Sequence, residues 1–408
     1  MNNTQQLPAG WVMKPLGELG KWYGGGTPSK DNAAYWTEGT IPWVSPKDMR
    51  YLWVSDAEDH ITEEAIANSA TSLIPAGALL VVTRSGILRR LIPVAVNTVP
   101  VAINQDMKCL RLDQGHDLHY VLFCLRGFNQ SLLQYAAKVG TTVESLEFSS
   151  LKSYRIPLPP LPEQRRIAAV LETWDEAIQT QTKLLATLRV QQRTLRQQLL
   201  TGAKRLSGFV DDWTEITISK VASEVSIRNK RDQVLEVLSC TKYHGLVRSL
   251  DFVSRQIFSE NLTTYKVVPR HTFAYATNHI EEGSIGYQSE WDEALISPMY
   301  TVFKTDKSRV DDSFLFHLLK SERYIQIYQR NMSGSIDRRG GLRWTDFKRL
   351  PISIPPLPEQ QAIAAVLNTA AEEIRLREDE LKALREQKRG LMQQLLTGQL
   401  RVSDTSAQ

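Results

Sequence analysis

The sequence has only three cysteines, Cys109, Cys124 and Cys240, odd in number and far apart. That excludes a disulfide framework and a zinc site built on paired cysteines, and predicts a reduced, cytoplasmic protein. No apolar run approaches the ~18 residues of a membrane span, and the polar start Met1-Asn2-Asn3-Thr4-Gln5-Gln6 has neither the basic nor the apolar region of a signal peptide. No membrane association is expected. A large excess of charge of one sign is also missing. The 49 Lys and Arg against 45 Asp and Glu leave a formal net charge of +4, which permits a polyanionic partner without requiring one. Gly24-Gly25-Gly26-Thr27-Pro28-Ser29-Lys30 lacks the Gly-Lys-Ser/Thr ending of a nucleotide-binding loop and reads equally as a turn or as a backbone approach to phosphate. His244, His279 and His317 have no second ligand at a helpful spacing, so no metal is expected, and no cofactor either.

What the chain does have is repetition. Pro160-Leu161-Pro162-Glu163-Gln164 opens a segment that closes at Leu199-Leu200-Thr201-Gly202, and Pro356-Leu357-Pro358-Glu359-Gln360 opens a near-copy that closes at Leu395-Leu396-Thr397-Gly398. At a constant offset of 196, residues 160–202 and 356–398 share 25 identities over 43 positions, too many for unrelated helices. Each segment reads as a long helix, entered through Pro162 or Pro358 and left at glycine. Apolar residues recur in steps of four and three, a heptad seam. In the first copy the seam is Ile167, Leu171, Trp174, Ile178, Gln181, Leu185, Leu188, Gln192, Leu195 and Leu199. In the second it is Ile363, Leu367, Ala370, Ile374, Arg377, Leu381, Leu384, Lys388, Leu391 and Leu395.

The 408 residues divide accordingly. Residues 1–158 form a turn-rich mixed α/β domain, with a buried strand at Leu79-Leu80-Val81-Val82 and a helix from Leu118 to about Tyr135. The first helical region is 159–204. A second domain, 205–354, echoes the first: Trp213 answers Trp11, Val268-Pro269 answers Ile74-Pro75, and Phe314 to Leu318 answers Val121 to Leu125. It includes a strand read at Val234 to Leu238. The second helical region is 355–400, and 401–408 is a patternless tail. The fold class is α+β, two pseudo-symmetric mixed α/β domains separated by two long helices.

Connectivity fixes the helix sense. A helix of about 39 residues is about 58 Å long, and the second domain begins where the first helix ends and finishes where the second begins. A compact domain makes that connection readily only if the helices pack as an antiparallel coiled coil. A parallel in-register pairing would set Gln181 against Arg377 and Gln192 against Lys388. The antiparallel reading is preferred, because long polar side chains can snorkel out of a seam. Glu163, Gln164, Glu359 and Gln360 read as acidic and polar residues favoured at helix starts, and Val170, Leu184 and Val366 as apolar surface in need of a cover.

The Pro-Leu-Pro-Glu-Gln-x-x-Ile-Ala-x-x-Leu opening, the Leu-Leu-Thr-Gly close, their duplication, and Gly26-Thr27-Pro28 with Ile41-Pro42-Trp43-Val44-Ser45 resemble the specificity subunit of Type I restriction-modification systems. The resemblance covers nearly the whole chain. It implies two target recognition domains, each reading one half of a bipartite asymmetric sequence in double-stranded DNA, with the helices setting the spacer. It further implies no catalysis in this chain, docking of two modification (methyltransferase) subunits at the helix starts and outward faces, and attachment of restriction (endonuclease/translocase) subunits. The residues agree on catalysis: an adenine methyltransferase needs an Asn/Asp-Pro-Pro-Tyr/Phe loop, whereas this chain has Leu158-Pro159-Pro160-Leu161 and Ile354-Pro355-Pro356-Leu357. The competing reading is a coiled-coil scaffold joining two protein-binding domains.

Candidate DNA contacts follow from side-chain chemistry. In the first domain Arg84, Arg89 and Arg90 offer guanidinium forks in a loop with Ser85, Asn104 and Gln105 offer amides suited to adenine, and Lys138, Thr141 and Thr142 precede the helical junction. In the second domain the candidates are Arg228, Lys230 and Arg231, then Lys242 and Tyr243, then Asn278 at the place of Arg84. The stretch holding Ser335, Arg338, Arg339 and Arg343 among glycines is the most DNA-like in the chain.

Overall fold

The computed structural model describes residues 7–138, 143–230, 233–242, 245–252, 258–332 and 341–402. Its contacts divide the chain into two compact units, Met1–Thr182 with Glu380–Gln408, and Lys183–Asp379. Each is a mixed α/β body that also holds the first half of one long helix and the last half of the other.

In the first unit a five-stranded sheet runs in the order Gly20–Gly24, Met107–Leu112, Leu79–Val82, Val94–Asn97, Trp53–Val54, beside a three-stranded sheet of Asp59–Ile61, Ile41–Val44 and Ala102–Ile103. Leu79, Leu80, Val81 and Val82 are all fully buried, as a continuous apolar run covered on both faces must be. The strand Val12–Pro15 pairs antiparallel with Arg155–Leu158, Val12 opposite Leu158. The prolines after Leu158 then lead into the first long helix. The second unit repeats the plan. One sheet is ordered Ala222–Val225, Tyr300–Thr305, Thr272–Ala276, Ile285–Gln288, a second Gly245–Arg248, Val237–Thr241, Glu293–Ile296, Lys266–Pro269, and Thr214–Thr217 pairs with Pro351–Ile354. The strand expected at Val234 starts later, at Val237, where pairing with Leu295 and Ile296 begins, and Val234 is 97% exposed.

The helix expected over Leu118 to Tyr135 is two helices, Leu118–Gly127 and Asn129–Ala136. The break has a cause. Asn129 takes the amide of Ile92 on its Oδ1 (2.9 Å) and donates Nδ2 to Ile92 O (2.8 Å) and Leu125 O (3.3 Å), tying the second helix to a neighbouring loop.

The long helices span Leu161–Leu200 and Leu357–Leu396 and are antiparallel. In the first unit Ile167, Ala168 and Leu171 share a core with Leu395 and Leu396. In the second, Leu199 and Leu200 share one with Ile363, Ala364 and Leu367. Every predicted seam position is buried or half-buried. Two polar seam positions find partners: Lys388 Nζ lies 2.5 Å from Asp175 Oδ2 and over the Phe123 ring, and Gln181 donates to Glu380 Oε2 at 2.8 Å. Val170 and Val366, expected to need a cover, pack against the cores of their own units, while Leu184 stays exposed. No helix among the described residues is long and apolar enough to cross a membrane. Burial pushes the thiols of Cys109 and Cys240 up to about 12, so both are inert at neutral pH.

The helix starts correct the simplest sequence reading. Glu163, Gln164, Glu359 and Gln360 are not surface residues beside a helix dipole; all four are buried. Glu163 receives both arms of Arg401 (2.5 and 2.8 Å) and Trp11 Nε1 (3.2 Å). Glu359 receives Arg205 (2.6 and 2.7 Å). Gln164 accepts from Asp117 N and donates to Pro159 O, and Gln360 does the same with Asp311 N and Pro355 O. Arg205 and Arg401 each stand three residues beyond the glycine that closes a helix, so the end of each helix clasps the start of the other.

Arg205→Ala and Arg401→Ala should each lower the unfolding midpoint by several degrees, because a buried carboxylate is left without its bidentate partner. Differential scanning calorimetry reads this, and Arg205→Ala with Glu359→Leu should recover part of the loss. A pH effect should accompany it. Burial, with Arg196 nearby, holds the imidazole of His317 below its usual range, and its Nε2 lies 2.8 Å from Asn368 Oδ1. From about pH 6.5 downward the unfolded chain therefore takes up a proton first, and stability should fall with pH through that window. Urea midpoints for the wild type should drop between pH 7 and 5.5, and drop less for His317→Asn.

Candidate nucleic-acid interface

Four distant segments of the first unit meet at one edge. The Thr27 hydroxyl is hydrogen-bonded to Gln105 Oε1. Beside it Thr83 Oγ1 and the amides of Thr83 and Arg84 donate to Asp106 O, and an Arg84 guanidinium nitrogen lies 4.0 Å from Asp106 Oδ1. Arg84 bridges to Ser145, and Ser85 N donates to Glu144 O at 3.0 Å. Arg89 is ion-paired with Glu144, and Lys138 with Glu147 at 3.0 Å. The structure thus brings together Arg84, Ser85, Arg89, Gln105 and Lys138. Arg90 is exposed with no acidic partner among the described residues.

Two readings from the sequence change here. Asn104 is buried, its Oδ1 accepting from Asp106 N and its Nδ2 reaching Asp106 Oδ2, so its amide shapes the turn from within. The glycine loop is also engaged internally: Gly26 N donates to Ile103 O, and Gly26 O accepts from Trp43 Nε1 and Thr71 Oγ1. The acids were not singled out in the sequence, although Glu144 and Glu147 flank the candidate cations. Hydrogen bonds from Arg89 and Lys138 hold the carboxyls of Glu144 and Glu147 below the usual range. Both cations are therefore neutralised in the free protein, and a phosphate would compete for them.

The second unit builds the same edge from different side chains. Thr277 Oγ1 donates to Met299 O (2.9 Å), and Leu342 N donates to Thr277 O (2.9 Å), just as Thr83 Oγ1 reaches Asp106 O and Leu146 N reaches Thr83 O. Asn278 thus stands where Arg84 stands, and Met299, 62% exposed, where Asp106 does. Gly341 packs on Asn278, with exposed Arg343 two residues on. Arg228 bridges to Lys266, whose Nζ donates to Tyr300 O, so Arg228, neighbouring Lys230, Asn278 and Arg343 sit on connected segments. Lys242 lies elsewhere, beside Gly283. Thr141, Thr142, Arg231, Tyr243, Ser335, Arg338 and Arg339 fall outside the described residues. One expectation about metals is modified: His279, Glu281 and Glu282 do bring ligand atoms within 4.8 Å of one another. The His279 to Glu282 pairing (3.3 Å) in an exposed turn accounts for that grouping.

Comparison with known proteins decides the family. The model of the Type I restriction modification DNA specificity domain matches residues 8–189 and 254–386. The chain belongs to this family. It is 44% identical over 162 residues to the EcoR124I/EcoR124II specificity subunit of Escherichia coli, a match spanning only 40% of each chain. It is 24% identical over 427 residues to the MjaVIII specificity subunit of Methanocaldococcus jannaschii, covering 98% of this chain and 95% of that one. In fold it resembles the crystal structure of the Type I S subunit from M. genitalium (TM-score 0.57, 13% identity, 97% and 98% covered). A structure from work on assembly and conformational transition of the Type I system is similar too (TM-score 0.61, 17% identity, 97% and 100% covered).

Two outcomes test this edge. Glu144→Gln and Glu147→Gln should each free a cation, tightening nonspecific DNA binding and steepening the slope of log affinity against log salt by about one. Fluorescence anisotropy across a salt series measures it. Gly25→Ala should cost about 2 kcal/mol in a denaturation experiment, because its Cβ would overlap the Asn104 carbonyl, while Gly24→Ala meets only the flexible Lys108 Nζ at 3.2 Å and should be tolerated.

Proposed function

We propose that this chain is the DNA sequence-specificity subunit of a Type I restriction-modification complex and binds one bipartite, asymmetric target. Residues 1–158 and 205–354 are its two recognition domains, each reading one half-site. The helical regions 159–204 and 355–400 hold those domains and set the spacer between half-sites. The chain itself carries no catalysis; two methyltransferase subunits dock on it, and restriction subunits join them. One observation carries the reading: two edges closed by matching threonine hydroxyl and leucine amide hydrogen bonds display Arg84 and Asp106 in one unit, and Asn278 and Met299 in the other. Two frames alike in geometry and unlike in side chains suit a target whose halves differ in sequence. Arginine matches the guanine edge and asparagine the adenine edge in the major groove, while an exposed methionine suits the thymine methyl. The similar structure from work on assembly of the Type I system supports the docking part.

Selection of bound sites from randomised duplex DNA by the methyltransferase complex tests this. Arg84→Ala should relax one half of the selected motif and Asn278→Ala only the other, each with a loss of roughly 1–3 kcal/mol for the affected base pair. Insertions in the long helices should alter the spacer and leave both halves unchanged. Relaxation of both halves by either substitution would contradict one domain per half-site. Binding that is insensitive to salt would favour the protein scaffold instead.

A further inference from the structure

In the unit Lys183–Asp379 a groove of about 360 Å³ opens between the last turns of the first long helix and the junction of the helices Asp312–Leu319 and Glu322–Asn331. Its floor carries a difference between the closing turns of the two long helices. Residues 195–202 and 391–398 agree at every position but one, and there Arg196 replaces Met392. In the other unit Met392 and Leu396 press on Gly127, where an added Cβ would meet Leu396 Cδ1 at 2.7 Å, and the joint is closed by apolar contact. Counting from the helix caps Asp117 and Asp311, the counterpart of Gly127 is Ser321. Arg196 and Ser321 both line the groove.

Arg196 is half-buried. It donates one N–H to His317 O at 3.1 Å, while its buried Nε has no hydrogen-bond partner. An unmatched guanidinium N–H held out of water costs free energy unless something receives it. Glu322 does not serve, being ion-paired with Arg193 at the rim. Lys320 has its ammonium on the carbonyls of Thr241, Gly283 and Ile285 at 3.3, 3.3 and 3.0 Å. Arg323, exposed on the wall, has no acidic partner among the described residues. The helix Glu322–Asn331 starts in the same wall, and Ser321 gives its first N–H groups no side-chain cap.

We propose that this groove binds a phosphate-class oxyanion, as free phosphate or as the phosphate tail of a small nucleotide, with Arg196 as its anchor. A planar carboxylate is satisfied by a single guanidinium fork. Half-buried Arg196, exposed Arg323 on the wall and the helix start line one groove, and donors of that kind suit a tetrahedral group with oxygens on every side. The proposal does not depend on the recognition edges, so DNA binding and this site can fail separately.

The test is thermal unfolding of the full chain in inorganic phosphate, tripolyphosphate, adenosine triphosphate or sodium acetate, each against chloride at matched ionic strength. Phosphate should raise the wild-type midpoint in a saturable way. Arg196→Met, which places here the residue that its repeat carries in the other unit, should weaken the apparent affinity at least tenfold with little change in the midpoint without phosphate. Arg323→Gln should weaken it less, and serves alone if Arg196→Met fails to fold. Tighter binding of the triphosphate nucleotide than of tripolyphosphate assigns the nucleotide as source, and equal or weaker binding assigns the free anion. Protection shared equally by wild type and variant, protection by acetate equal to that by phosphate, or no protection at all overturns the proposal.

Discussion

A carboxylate carried into a protein core needs a cation brought to it, and in this chain the cation for each copy of the repeat is supplied by the other copy. Glu163 is met by Arg401 and Glu359 by Arg205. A helix start therefore cannot settle without the end of its partner, and that condition is met only when the helices run in opposite directions. The apolar seam supplies attraction but little direction. The ion pair of Lys388 with Asp175 and the hydrogen bond of Gln181 with Glu380 add register to it. Buried polar groups act here less as sources of stability than as selectors among ways two similar helices could pack.

A scaffold so determined lets the edges of the α/β bodies vary. The threonine that closes the edge, Thr83 in one unit and Thr277 in the other, makes the same bond to a carbonyl in each. The neighbouring side chains differ in charge, size and hydrogen-bonding pattern. Local geometry is thereby separated from chemical readout, which is the property a protein needs if two related domains are to distinguish different ligands of one class. The acid partners of Arg89 and Lys138 add a second restraint, because cations already paired reward a correctly placed phosphate less and nonspecific contact least.

The long helices, their sense and their seam were legible because periodicity reports burial directly and because connectivity leaves few choices. The sites of Arg84 and Asn278 were legible as equivalents through the spacing of flanking motifs. The latch was not, since Arg205 and Arg401 sit past the helix ends in segments without apolar pattern. Their matching offset was the available signal, hidden because the second copy falls in what reads as a tail. The break at Phe128 escaped because helical periodicity continues through it, and only Asn129, held by a distant loop, reveals it. Asn104 looked like a base reader because an exposed and a buried asparagine are identical in sequence. Pairing of Arg89 with Glu144 depends on segments 55 residues apart, which no local pattern encodes.

The most direct test of the central claim is the pattern of adenine methylation in cells carrying an intact, expressed system with and without this chain. One split asymmetric motif, fully methylated with the chain and unmethylated without it, is the predicted result. Identical methylation in the two strains would contradict the account.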